Sequence, residues 1–225
     1  MLDERKVLDQ IKNLTSNLIC SGLCIDQNFP AIKEYSEKVK EVTISGCDYS
    51  ITLKNVPYSD MYQELKSSKS YNILLIDGAL IQMQYRFKNN FLEKHRLAFF
   101  PAPNLHLFQN EQEIYNEDEI YGDVVDARVV TTPIRFDFDD SVDSKGVKVA
   151  KPVSHPISHL TLGQYKNCRI PVNSALTPYQ FIEFILRNFY NSEYLRYKNP
   201  LKNNVYFNDC IYEEEKKIVN ICFPK

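Results

Sequence analysis

The sequence predicts an α+β fold, an antiparallel meander sheet with an N-terminal amphipathic helix before it and a helix after its last central strands. Apolar residues recur at three- and four-residue steps near the N-terminus and again after Thr177, the period of one helical face, while the stretch between them alternates with a period of two. Two dipeptides suited to tight hairpins, Asp77-Gly78 and Asn89-Asn90, punctuate the strand-like region. A chain of 225 residues can bury one substantial core. It reads as a single α+β domain over residues 1–225, with residues 1–70 as a subregion.

Leu2 to Leu23 places Val7, Leu8, Ile11, Leu14, Leu18 and Ile19 on one helical face and ends near Gly22. Glu41 to Leu53 alternates through Val42, Ile44, Tyr49, Ile51 and Leu53, and Ser45-Gly46 breaks it as a hairpin would. Ser59 to Ser70 is a short helical or irregular connection. Three strands follow between Tyr71 and Pro101, where Pro101 and Pro103 stop the pairing. Gln109 to Asp126 is an acidic excursion, read as a solvated loop. Arg128 to Asp139 alternates again, Ser141 to Ala150 is a polar loop, and short strands at Ser158 to Leu162 and Asn167 to Val172 flank Gly163. Thr177 is a good N-cap and Pro178 fits the first helical position, followed by Phe181, Ile182, Ile185, Leu186 and Phe189 on one face. Tyr190 to Asn204 extends this helix as far as Pro200, and Val205 to Phe223 has strand-like ends.

Composition excludes several function classes. The 15 Tyr and 13 Phe are far too many for a disordered chain. A net charge of -2 gives no global attraction to nucleic acid or anionic lipid, so a site for RNA must be local. The six cysteines form no CxxC pair, and the N-terminus lacks a signal-peptide pattern; together these place the chain in the cytoplasm with reduced thiols. No apolar run reaches the ~18 residues of a membrane helix.

Chemistry concentrates between Thr132 and Tyr190. Two of the four histidines, His155 and His159, lie there beside Arg135, Asp137, Asp139, Asp140 and Arg169. On a helix the H-x3-H spacing would suit a metal, but Pro156 and the β-prone surroundings argue against a helix, so no metal and no cofactor is assigned. The same residues suit metal-independent phosphodiester cleavage, with His155 and His159 as an acid/base pair, Asp137 orienting a histidine, and Arg135 and Arg169 binding phosphate. RNA brings its own nucleophile, the 2′-hydroxyl, so no activated serine or cysteine is needed. The three aspartates are the main electrostatic objection to a bound phosphate. On the third meander strand, alternation puts His95 and Arg96 on opposite faces, so at most one can join a site. Tyr190, Tyr194 and Tyr197 with Arg187, Arg196, Lys198 and Lys202 form the most basic neighbourhood, a second candidate for RNA contact.

In order along the chain, DGALIQMQYRF, KHRLAFFPAP, IRFDFDD, HPISHLTLG and CRIPV, then LTPYQFIEFILRNFY, resemble an uncharacterised bacterial family of unknown function. The likeness spans roughly Asp77 to Tyr190. A fainter one, over about Ile134 to Phe189, is to TumE-type toxins of toxin-antitoxin systems, which are regarded as ribonucleases and carry a His-rich, Pro-containing turn before their last main helix. That resemblance maps the turn to His155 and His159 and implies a ribonuclease in a defence or toxin-antitoxin context. The reading from a different class is a non-catalytic interaction module, an accessory subunit of a bacterial defence system that engages a protein partner.

Overall fold

The computed structural model describes residues 2–46, 56–103, 132–165, 167–197 and 205–224. The expected strand at 49–53, the acidic excursion and the end of the expected helix extension at 198–204 lie outside the described residues. Helix α1 (Glu4–Cys20) starts on Asp3, whose carboxylate accepts the Lys6 N–H at 2.9 Å, and ends where Gly22 takes a φ of +81°. Strands β1 (Cys24–Gln27), β2 (Ala31–Ser36) and β3 (Val39–Thr43) follow, then α2 (Tyr58–Ser67). The meander is β4 (Ile73–Leu75), β5 (Leu80–Lys88), β6 (Phe91–Phe100), β7 (Ile134–Asp139), β8 (Ser158–Leu162) and β9 (Ile170–Pro171). Helices α3 (Pro178–Phe189) and α4 (Asn191–Tyr197) come next, and a 3-10 turn (Glu215–Lys217) lies in the C-terminal tail.

All nine described strands form one antiparallel sheet in the order β1-β4-β5-β6-β7-β8-β9. The long β5 shares one edge between β4, which pairs with its start, and β3, which pairs with its end and carries β2 outward. Both expected tight turns are present. Gly78 takes a φ of +85° between β4 and β5, and Asn89 and Asn90, with φ of 51° and 65°, make the two-residue link between β5 and β6. A β2–β3 hairpin turns at Glu37-Lys38, and the second arm of the hairpin expected at Ser45-Gly46 lies outside the described residues. The expected continuous helix after Tyr190 is instead broken at Tyr190, where the backbone leaves the helical region. The strand-like ends of 205–223 form only isolated bridges, Ser174 to Asp209 and Val172 to Ile221.

One face of the sheet packs against α1 and α3. Met83, Tyr85, Leu97, Phe99, Phe136 and Leu160 meet Val7, Ile11 and Leu14 of α1 and Phe181, Ile182 and Ile185 of α3 in a continuous core. Phe136 stands edge-on to Phe181, Phe184 and Phe223, with centroids 5.2 to 6.1 Å apart, so the FDF and FIEFILRNF aromatics are core. The start of α3 is held twice. Tyr85 donates to the Leu176 carbonyl at 3.0 Å, and the Leu176 N–H donates to His95 Nε2 at 3.0 Å, just before the Thr177–Gln180 capping box. On the opposite face, α2 covers only one end of the sheet, packing Met61, Tyr62 and Leu65 on Leu74, Leu80, Ala98 and Phe100. Among the described residues the other end of that face is open.

Burial pushes the His95 imidazole down from its ordinary value of 6.5 to about 4, with Asp137 opposing. The unfolded chain therefore takes up a proton between these limits that the folded chain refuses. This contribution is complete above pH ~6.5 and is lost as pH falls toward 4, worth up to about 3 kcal/mol. His155 and His159 are shifted in the same direction. Urea unfolding at pH 7 and pH 4.5 will show this loss, and His95→Gln, which keeps an acceptor for Leu176, will reduce it.

Tyr190 is buried and donates to Asp77 Oδ2 at 2.6 Å, while Asp77 Oδ1 accepts the Ala79 N–H at 3.0 Å. This ties the β4–β5 turn to the end of α3. Tyr190→Phe leaves the buried carboxyl one donor short and will destabilise the fold by about 1–3 kcal/mol in equilibrium unfolding.

Candidate functional site

Strand alternation sends Gln84 and Arg86 of β5, Lys94 and Arg96 of β6, Arg135, Asp137 and Asp139 of β7 and His159 of β8 to the face away from α1 and α3. Register then sorts them into rows. Gln84, Arg96, Asp137 and His159 stand directly opposite one another across four strands, and Arg86, Lys94 and Asp139 form the adjacent row. Neighbouring side chains in a row are separated by one strand spacing, about 4.8 Å. These residues floor an open cleft of about 470 Å³, and His155, Arg169 and Glu41 complete its walls. Five cations line it against three carboxylates, a local positive surplus on a chain whose net charge is -2.

Asp137 is the hub. Arg135 Nε lies 2.5 Å from Oδ2, Arg96 Nε 3.5 Å from Oδ1, and His159 Nε2 3.9 Å from Oδ2. Burial works to raise this carboxyl, but Arg135 and Arg96, with His159, outweigh it and hold Asp137 below its usual range. It is an anion at neutral pH. Asp139 is neutralised separately by Lys94 at 3.0 Å and by the Ser141 N–H and hydroxyl, and Asp140 pairs with Lys148. The carboxylates that opposed a phosphate-handling role are thus each matched by a cation.

His159 is buried on β8, and its Nδ1 lies 2.9 Å from the Pro156 carbonyl. A carbonyl can only accept, so Nδ1 carries the proton and Nε2 presents a lone pair to the cleft. Burial lowers the affinity of His159 for a second proton, with Asp137 opposing. The His155 ring meets His159 edge-on, centroids 5.5 Å apart. It is only half-buried, and its pKa is lowered by burial and by Arg169. Arg169 Nη1 is 3.4 Å from the Ser154 carbonyl, and among the described residues it pairs with no carboxylate.

All five residues singled out from the sequence, Arg135, Asp137, His155, His159 and Arg169, therefore line one cleft. The role expected of Asp137 is altered. The Pro156 carbonyl, not Asp137, orients His159; Asp137 sits beyond hydrogen-bond reach of Nε2, where its charge favours the imidazolium. Lys94, Gln84 and Glu41 were not expected in a site, and Arg96 only as the alternative to His95. Their only signal is a shared parity: polar residues two apart on β5 and β6 face the same way as Arg135 and Asp137. Of His95 and Arg96, the arginine reaches the cleft through its side chain and the histidine is in the core. The second RNA candidate loses Tyr190 to the core and Tyr194 to a contact with Glu183, while Lys198 and Lys202 lie outside the described residues. Among the described residues no three His, Cys, Asp or Glu side chains gather as a metal site, and no helix is long and apolar enough to cross a membrane.

Neither a curated protein nor a solved structure matches the chain. One family model does, over residues 23–223, from just before β1 to the end of the C-terminal tail. The chain belongs to that family, described as "Uncharacterized conserved protein (DUF2290)".

Proposed function

We propose that the cleft binds RNA and cleaves its phosphodiester backbone without a metal ion. The observation that carries this reading is the histidine pair, two imidazoles 5.5 Å apart with one Nε2 lone pair turned into a cation-lined cleft. His159 Nε2 takes the proton of the 2′-hydroxyl, whose oxygen attacks phosphorus. As that O–P bond forms, the bond from phosphorus to O5′ breaks, and His155 gives O5′ its proton. Asp137 stabilises the imidazolium that His159 becomes. Arg169 and the Nη groups of Arg135, whose Nε is committed to Asp137, face the negative charge on the phosphoryl oxygens. The products carry a 2′,3′-cyclic phosphate and a 5′-hydroxyl.

A second reading has one observation in its favour: Arg135 and Arg96 both spend contacts on Asp137. A cleft so arranged can hold a polyanion without turning it over, as an interaction module would. The two readings separate in one assay. On the catalytic reading, His155→Ala and His159→Ala each lower RNA cleavage by about 10²–10⁴-fold while RNA binding and folding persist. Folded wild-type protein that binds RNA and leaves it intact favours the interaction module.

The pH dependence has a defined sign. The base must be neutral and the acid protonated, and burial lowers the pKa of both histidines. The profile of kcat/KM on RNA will be bell-shaped with its maximum below pH ~6.5. A maximum well above pH 7 would assign the proton transfers to other groups.

A further inference from the structure

We infer that Glu215, in the C-terminal tail, is the positioning residue that holds His155 in the cleft, an inference that rests on the catalytic reading of the histidine pair. His155 closes a tight loop. Its N–H and carbonyl exchange hydrogen bonds of 2.8 Å with Lys151, and between them the Ser154 N–H reaches back to the Pro152 carbonyl at 2.7 Å. That contact makes a three-residue γ-turn centred on Val153, which takes a φ of +64°. A β-branched residue in the left-handed region is strained, because its Cβ crowds the following carbonyl, and such a conformation persists only where the surroundings enforce it.

Glu215 supplies the enforcement. It is buried, and its Oε1 accepts the Val153 N–H at 3.0 Å while Oε2 accepts the Tyr212 N–H at 3.0 Å. The tail that carries it is itself fixed to the sheet. Cys210 N–H donates to the Asn173 carbonyl at 2.8 Å, and the Ile221 N–H donates to the Pro171 carbonyl at 2.9 Å. One carboxylate thus ties its own tail to a backbone 62 residues away in sequence. The same loop offers the Ser154 carbonyl to Arg169, so the clamp sets the arginine as well as the imidazole. His159 needs no such help, since β8 and the Pro156 carbonyl hold it.

The test follows the two imidazoles separately by NMR titration, with RNA cleavage measured alongside. In Glu215→Ala the turn relaxes, and His155 leaves the contacts that depress it, so its pKa rises toward ~6.5 while His159 stays near its wild-type value. If Glu215→Ala does not fold, Glu215→Gln, which keeps one acceptor, is read instead and shifts His155 in the same direction by less. Adding Val153→Gly to Glu215→Ala restores the His155 titration, because glycine adopts this φ without the Cβ clash. On RNA, Glu215→Ala lowers kcat by about 10²-fold with little change in KM, and the double variant recovers much of it. An unchanged His155 titration in the variant overturns the inference. If the wild type cleaves no RNA, the catalytic reading fails, and the titrations still decide whether Glu215 holds the loop.

Discussion

Register across β5, β6, β7 and β8 governs both faces of the sheet at once. With Tyr85, Leu97, Phe136 and Leu160 committed to the core under α1 and α3, the intervening Gln84, Arg96, Asp137 and His159 have only the open face to occupy. A slip of one residue in β5, β6 or β7 would drive a guanidinium or a carboxylate into apolar surroundings, at a cost of several kcal/mol per unpaired charge. The hydrophobic core therefore specifies the polar row. The tight turns at Gly78 and Asn89-Asn90 and the pinning of Leu176 by Tyr85 and His95 are the local devices that keep this register.

Electrostatics in the row depends on Asp137. Without it, Arg96 and Arg135, diagonal neighbours on β6 and β7, would have no intervening anion, and half-buried like charges repel. With it, two guanidiniums are held close on a floor that remains positive, while Lys94 takes up Asp139. A phosphate bound as proposed would meet Arg169 and the outward face of Arg135 rather than bare carboxylates. His159 lies at the end of the row with its tautomer set from behind by a backbone carbonyl, and His155 is brought to it by a strained loop. Each group has a structural reason to be where it is.

What was legible in the sequence was local. The Asp77-Gly78 and Asn89-Asn90 turns, the Thr177 cap with Pro178 behind it, and the amphipathic faces of α1 and α3 all rest on chemistry within a few residues. Strands β1 and β2 were missed because β2 is exposed along most of its length and β1 is only four residues long; neither carries a clear alternation. The same divide runs through the cleft. Arg135, Asp137, His155, His159 and Arg169 fall within one stretch of chain and could be grouped from it. Arg96 meets Asp137 only through the pairing of β6 with β7, and Glu215 meets Val153 only because the tail folds back, so no spacing in the sequence announces either contact.

In the reaction we propose, the histidine pair transfers protons around a phosphodiester whose nucleophile comes from RNA itself. The most direct measurement is the chemistry of the product ends, after incubating the purified chain with a defined oligoribonucleotide in the presence of a chelator. That reaction yields 2′,3′-cyclic phosphate and 5′-hydroxyl termini, with complete resistance at a position where the 2′-hydroxyl has been replaced by hydrogen. Products bearing 3′-hydroxyl and 5′-phosphate ends, or cleavage that persists at the 2′-deoxy position, would contradict it.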